Sequence, residues 1–116
     1  MVKKWDVYFL NLDPIKGSEQ RGTRPVLVIS NDAVNQYLTV FTCIPFSSVK
    51  SGDKIYPTEV LLTTAESGLP KDSVLMLQQI RTVSQERIAG NRISTISDAT
   101  IRERINRALA QYFELD

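Results

Sequence analysis

The chain contains no histidine. It therefore lacks the side chain most often used for proton transfer near neutral pH, and it lacks the ligand on which most zinc sites depend. Any acid–base chemistry has to come from other groups. A single cysteine, Cys43, excludes an intrachain disulfide. Its place between Thr42 and Ile44 in an apolar stretch reads as buried packing rather than a reactive thiol, which fits a reducing compartment. An excess of charge of one sign is missing too. Fourteen Lys and Arg face thirteen Asp and Glu, for a formal charge of +1, so the global field offers no argument for a polyanionic partner and any nucleic-acid site must be a local patch. Long apolar runs are absent, and none is long enough to span a bilayer. Lys3 and Lys4 could open a signal peptide, but Asp6, Asn11 and Asp13 interrupt any apolar segment behind them. The expectation is a soluble cytoplasmic protein without repeats or low-complexity tracts. A length of 116 residues suits one domain over 1–116 with one core, since chains of this size bury roughly two thirds of their unfolded surface.

What is present is concentrated in Gly17-Ser18-Glu19-Gln20-Arg21-Gly22-Thr23-Arg24-Pro25, where a carboxylate and two guanidinium groups occupy a glycine-punctuated loop just before the apolar run Val26-Leu27-Val28-Ile29. Gly17 and Gly22 permit a positive φ or close approach of another group, and Pro25 pushes Arg24 towards an extended backbone. Arg24 is thus expected at a strand entrance. A guanidinium held there suits a phosphate or carboxylate, because its planar fork of donors matches two oxygens and stays charged at every working pH. Read more plainly, the segment is a hairpin loop with a surface ion pair.

Alternation of Trp5, Val7 and Phe9 with Asp6, Tyr8 and Leu10 predicts a strand from Trp5 to Leu12. Val26–Ile29 reads as a second strand, apolar on both faces. A short helical turn capped by Asn31 or Asp32 follows, and a third strand runs over Leu38–Phe46. Residues 47–57 read as a long mobile connection, 58–63 as a strand, Gly68-Leu69-Pro70 as a turn, and Ser73–Val83 and Arg87–Ile93 as the last strands. Strands at this spacing favour a small closed barrel. From Ser97 the period changes: Ile101, Ile105, Ala108, Leu109 and Tyr112 fall on one face of a helix capped by Ser97 or Asp98, with Glu103 and Arg107 paired on the outer side.

Asp13-Pro14 followed by GSEQRGTRPVLVISND from Gly17 to Asp32 resembles the signature of the MazF/PemK family of toxins, which are sequence-specific endoribonucleases. Ile44-Pro45-Phe46-Ser47-Ser48, Asp72-Ser73-Val74 and Gln79-Ile80-Arg81-Thr82 resemble later segments of the same family, so the similarity runs from about Asp6 to the C-terminal helix. The resemblance implies an α+β, mostly β fold, a small SH3-like barrel (MazF/PemK/CcdB-like) with a short helix and a C-terminal helix. It also implies cleavage of single-stranded mRNA without ribosome, metal or cofactor, by attack of the ribose 2′-hydroxyl. That chemistry needs removal of the hydroxyl proton, protonation of the leaving 5′-oxygen and stabilisation of the extra charge on phosphorus. Glu19 is the candidate base, Arg24 the candidate stabiliser of the phosphorane oxygens and Ser47 the hydroxyl that orients the phosphate. The matching family positions are a glutamate, the arginine, and a threonine or serine. An arginine nearby lowers a carboxylate's pKa, where a useful base needs it raised, and arginine itself is too weak an acid to donate a proton. The acid therefore stays unassigned. Some family members carry histidine where this chain has Ser18, and others an acidic residue where it has Gln78, so mechanisms built on those groups are closed to it.

Single-stranded RNA is read by stacking on aromatic rings, by hydrogen bonds to base edges and by basic groups along the backbone. Phe46, Tyr56, Lys50 and Lys54 are candidates for stacking and backbone contact, with Phe46 equally suited to the barrel interior. Gln79 can donate to and accept from a base edge, or hydrogen-bond its strand neighbours. Arg81 can meet phosphate, or a carboxylate across the sheet. Gln20, Thr23 and Ser48, polar neighbours of the catalytic candidates in the matched motifs, complete the RNA-binding set. The resemblance further implies a homodimer and a cognate antitoxin whose disordered acidic tail lies across the RNA groove. Two other functions fit the same fold: a toxin that poisons DNA gyrase without cutting RNA, and a non-catalytic RNA-binding module.

Overall fold

A computed structural model describes residues 2–14, 16–19 and 22–115. Seven strands lie among them: β1 (Asp6–Asn11), β2 (Thr23–Val28), β3 (Val40–Ser48), β4 (Glu59–Leu62), β5 (Ser73–Met76), β6 (Arg81–Ser84) and β7 (Ile88–Thr95). Three α-helices, α1 (Asp32–Tyr37), α2 (Thr64–Ser67) and α3 (Ala99–Tyr112), join them. The strands run antiparallel in the order β4-β5-β3-β2-β1-β7, with β6 paired to β3. Among the described residues no pairing joins β4 to β7, so the antiparallel sheet is not closed by hydrogen bonds, an arrangement compatible with the expected barrel-like fold.

Each strand sends alternate residues to opposite faces, and both faces are apolar. Val7, Leu27, Ile44, Phe46 and Leu75 meet Trp5, Leu62 and Ile105 in one core, against which Ile101, Ala108 and Leu109 of α3 pack. Leu10, Val26, Val28, Phe41, Cys43 and Val83 form a second core on the other face. Cys43 is fully buried, and burial pushes its thiol up to about 12, so it stays protonated.

Several boundaries differ from the sequence expectation, each for a physical reason. Trp5 has φ 77, a left-handed backbone that no strand residue adopts, so β1 begins at Asp6. Pro25 lies inside β2, tolerated because the β2–β3 ladder spans only Val26–Val28 and leaves the proline nitrogen outside it. β3 extends to Ser48, since Phe46–Ser48 pair with Leu75–Ser73, and so Ser47 and Ser48 belong to a strand rather than to a mobile connection. The single strand expected over Ser73–Val83 is broken by a 3₁₀ turn, Leu77–Gln79. That turn faces the stretch of β3 around Pro45, which has no N–H to give the ladder, and it takes up the register difference between β5 and β6.

The helices follow their caps. The Asn31 side chain accepts from the Val34 N–H at 2.9 Å, and Asp98 accepts from Thr100 and Ile101 at 2.8 and 3.1 Å, which settles both open cap assignments. α2, which falls between the expected strand and turn and has no element assigned to it from sequence, is nucleated by the reciprocal capping box of Thr63 and Glu66. Its end is set by Gly68 at φ +78, where an added Cβ would lie 2.5 Å from Ser94 Cβ and 2.7 Å from Ser94 Oγ. Ser94 has little room to yield, because its hydroxyl donates to the Ser67 carbonyl at 2.7 Å. Left-handed strain and overpacking together make Gly68→Ala destabilising by about 2 to 4 kcal/mol in urea denaturation, and Ser94→Gly in the same chain should recover the overpacking share. No helix among the described residues is long and apolar enough to cross a membrane.

Candidate active site

The connection from β1 to β2 is closed at its neck by backbone pairing. Leu12 N–H donates to the Gly22 carbonyl at 2.9 Å, and Gly22 N–H donates to the Asp13 carboxylate at 3.2 Å. Gly17 at φ +57 and Gly22 at φ +77 take the left-handed conformations that the sequence reading allowed them. Within the connection the Glu19 carboxylate accepts from the Lys16 N–H at 2.6 Å, a local turn that holds the exposed side chain against its own backbone. Gln20 and Arg21 lie outside the described residues.

Beyond the neck, Thr23, Arg24 and Pro25 open a cleft of about 210 Å³ together with Phe9, Phe46, Ser48, Ser73 and the segment Leu69-Pro70-Lys71. Three successive β2 residues line it, so the cleft follows the strand's main chain at its exposed end rather than a single face. Extending the β2–β3 register, in which Val26 faces Pro45, sets Arg24 opposite Ser47 at the end of the ladder. Strand alternation turns Ser47 to the face opposite Phe46 and Ser48, and it is Ser48 that lines the cleft. Arg24 is half-buried and engaged with other groups. A half-buried guanidinium beside an apolar wall is less screened than one on an open surface, which strengthens its hold on an anionic oxygen.

The remaining sequence candidates take different positions. Phe46 is fully buried and forms the cleft's inner wall, so the interior alternative holds and it offers no exposed stacking face. Tyr56 is exposed on the β3–β4 connection with the Lys54 ammonium 5.1 Å above its ring. Lys50 opens a tight turn in which its N–H donates to the Asp53 carboxylate. The Gln79 amide donates to the Ser18 carbonyl at 3.1 Å, and Arg81 reaches the Leu12 carbonyl at 3.4 Å, so both side chains are turned onto the β1–β2 connection. Sequence reasoning passed over Lys71 and Phe9, which line the cleft. Lys71, directly before the Asp72-Ser73-Val74 motif, was legible as a cation in a turn. Phe9 alternates in step with the fully buried Val7 yet is 40% exposed, because the β1–β7 register shifts between Val7 and Phe9.

With no histidine in the chain, and no cluster of three Asp, Glu or Cys side chains among the described residues, the cleft has no ready-made metal cage. What it presents is two cationic residues, Arg24 and Lys71, hydroxyls at Thr23, Ser48 and Ser73, and an apolar wall. Such a set can grip a phosphodiester and shelter a base edge.

A family described as PemK-like, MazF-like toxin of type II toxin–antitoxin systems matches residues 3–113. Two curated relatives are similar over 109 residues at 37% identity: Endoribonuclease MazF of Staphylococcus saprophyticus, matched over 94% of this chain and 88% of that protein, and Endoribonuclease EndoA of Bacillus subtilis, over 94% and 91%. Among solved structures, a mycobacterial endoribonuclease in complex with its cognate antitoxin superposes with TM-score 0.77 at 22% identity, covering all of this chain and 98% of the other. MazF from Deinococcus radiodurans superposes with TM-score 0.77 at 23% identity, covering 97% and 96%. At those identities the two structures speak for the fold alone.

Proposed function

Because the chain belongs to the PemK-like, MazF-like toxin family of type II toxin–antitoxin systems, we propose that it is a ribosome-independent endoribonuclease cutting single-stranded mRNA at a preferred sequence. The observation that carries the reading is Arg24, half-buried at the mouth of a cleft in a chain 37% identical to two endoribonucleases over nearly its whole length. In the proposed reaction the ribose 2′-oxygen attacks the adjacent phosphorus while its proton passes to a base. The bond from phosphorus to the 5′-oxygen breaks, and that oxygen takes up a proton. The products are a 2′,3′-cyclic phosphate and a 5′-hydroxyl. Arg24 holds the phosphorane oxygens, Ser47, which the ladder register sets on the same face as Arg24 and away from the Phe46 wall, orients the phosphate, and Glu19, once released from its Lys16 contact, accepts the proton. Thr23 and Ser48 line the cleft, and Gln20, Lys50, Tyr56, Gln79 and Arg81 complete the proposed set of RNA contacts.

The reaction uses no metal, since its charge stabilisation comes from a guanidinium. We further propose that the whole chain acts as one cytoplasmic toxin domain that pairs as a homodimer and is held inactive by a cognate antitoxin, the kind of complex in which the mycobacterial endoribonuclease of similar fold was solved. The test is incubation of the pure protein with a long defined RNA in EDTA, followed by mapping of both new ends. Fragments at a recurring short sequence, with 5′-hydroxyl ends that need phosphorylation before ligation, are expected at the same rate as with magnesium. Intact RNA in both conditions would overturn the reading in favour of a gyrase poison or a binding module. Fragments only with magnesium would overturn the mechanism.

A further inference from the structure

Arg87 ends a 3₁₀ turn, Gln85–Arg87, immediately before β7. The next residue, Ile88, is paired with Leu10, so the backbone of Arg87 is fixed beside the end of β1. From there one guanidinium nitrogen, Nη1, donates to the carbonyls of both Asn11, at 3.2 Å, and Asp13. Arg81 reaches the intervening carbonyl of Leu12 from the neighbouring β6. Three successive carbonyls, where the chain leaves the sheet to make the β1–β2 connection, are thus met by two guanidinium groups from one distant segment. Charged donors make the stronger class of hydrogen bond, and two acceptors on one nitrogen fix direction as well as distance. The same neck is tied to Gly22, one residue before the strand that carries Arg24.

We propose that Arg87 is a positioning residue for RNA cleavage. By clamping the Asn11 and Asp13 carbonyls it sets the angle at which the β1–β2 connection leaves the sheet, and hence where Glu19 and Arg24 stand relative to the scissile phosphate. The proposal rests on the endoribonuclease reading above. Its chemistry is indirect: Arg87 spends its donors on main chain and needs no contact with RNA. A displaced catalytic group lowers the rate of the chemical step more than it lowers substrate binding, because the geometry that matters is that of the transition state.

The test compares the full chain with Arg87→Ala and Arg87→Lys on an RNA oligonucleotide bearing one cleavage site, with kcat and KM measured separately, alongside amide hydrogen exchange of the free proteins. Arg87→Ala is expected to lower kcat about 10- to 100-fold while KM changes by less than about threefold. Exchange should rise in the β1–β2 connection and stay unchanged in α3. Arg87→Lys should recover part of the rate, since an ammonium can still reach one carbonyl but presents no planar fork. The proposal is overturned if Arg87→Ala keeps the wild-type kcat. It is equally overturned if KM rises with kcat unchanged, which would place Arg87 on the RNA, or if exchange rises throughout the cores, which would make it a general stability residue. Should the wild-type protein cut no RNA at all, the functional reading fails instead, and exchange in the connection alone decides whether the clamp exists.

Discussion

Arg24→Ala is expected to slow RNA cleavage by about 10² to 10³-fold while leaving the fold intact, the cost typical of removing one preorganised donor from a developing oxyanion. The reasoning is electrostatic. Charge on the phosphorane oxygens peaks in the transition state, and a cation already held at the cleft mouth need not reorganise to meet it. Arg24 is at the end of the β2–β3 ladder rather than within either apolar core, so truncation should leave the melting temperature near that of the parent. Arg24→Lys separates charge from geometry. If the positive charge alone matters it should restore most of the rate, whereas a need for the planar fork leaves it within about tenfold of the alanine variant. Single-turnover cleavage of a defined oligonucleotide, with a thermal melt of each variant, checks both points. A folded Arg24→Ala protein that cuts at the parental rate removes Arg24 from the mechanism.

The largest effect on stability is expected at Phe46. Its ring is fully buried, packed in the core that joins β2, β3 and β5 to α3, with Leu75 directly across the ladder. Phe46→Ala removes the ring and leaves a cavity whose walls are strands with little freedom to collapse, so a loss of about 3 to 5 kcal/mol is expected. Denaturant titration reads that directly, and in a chain of this size the melting temperature should fall by about 10 to 20 °C. A ring used only to stack on RNA predicts the reverse pattern: an unchanged melt and a raised KM. Phe46→Leu, which keeps most of the buried volume, should cost less than about 1.5 kcal/mol and retain cleavage.

Much of the architecture was legible locally. Alternation in Trp5–Leu12 and the apolar run after Pro25 identified β1 and β2 because a pleated strand must send successive side chains to opposite faces. The spacing of Ile101, Ile105, Ala108 and Leu109 likewise identified the buried face of α3. Glycines at 17 and 22 marked the connection, and Arg24 beside Pro25 marked its exit into the sheet. α2 was legible too and was passed over, since Thr63 and Glu66 carry the spacing of a capping box. By contrast, the break in Ser73–Val83 was hidden: its cause lies across the ladder at Pro45, some thirty residues away in the chain, where β3 has no N–H to offer.

For the site, residue types were readable and their company was not. Sequence alone established that no histidine chemistry, disulfide or strong global field operates here, and that one permanently cationic side chain stands where a strand begins. It also established which residues alternate together, because periodicity and caps are properties of a few neighbouring residues. Tertiary structure decided that Phe46 walls the cleft while Ser47 turns away from it, that Lys71 and Phe9 join Arg24 at its mouth, and that Gln79 and Arg81 face the β1–β2 connection. It also brought Arg87 to the carbonyl of Asn11 across 76 positions of sequence. Such meetings depend on ladder register and strand order, which are set by the packing of two whole cores at once. No local window of the chain contains that information.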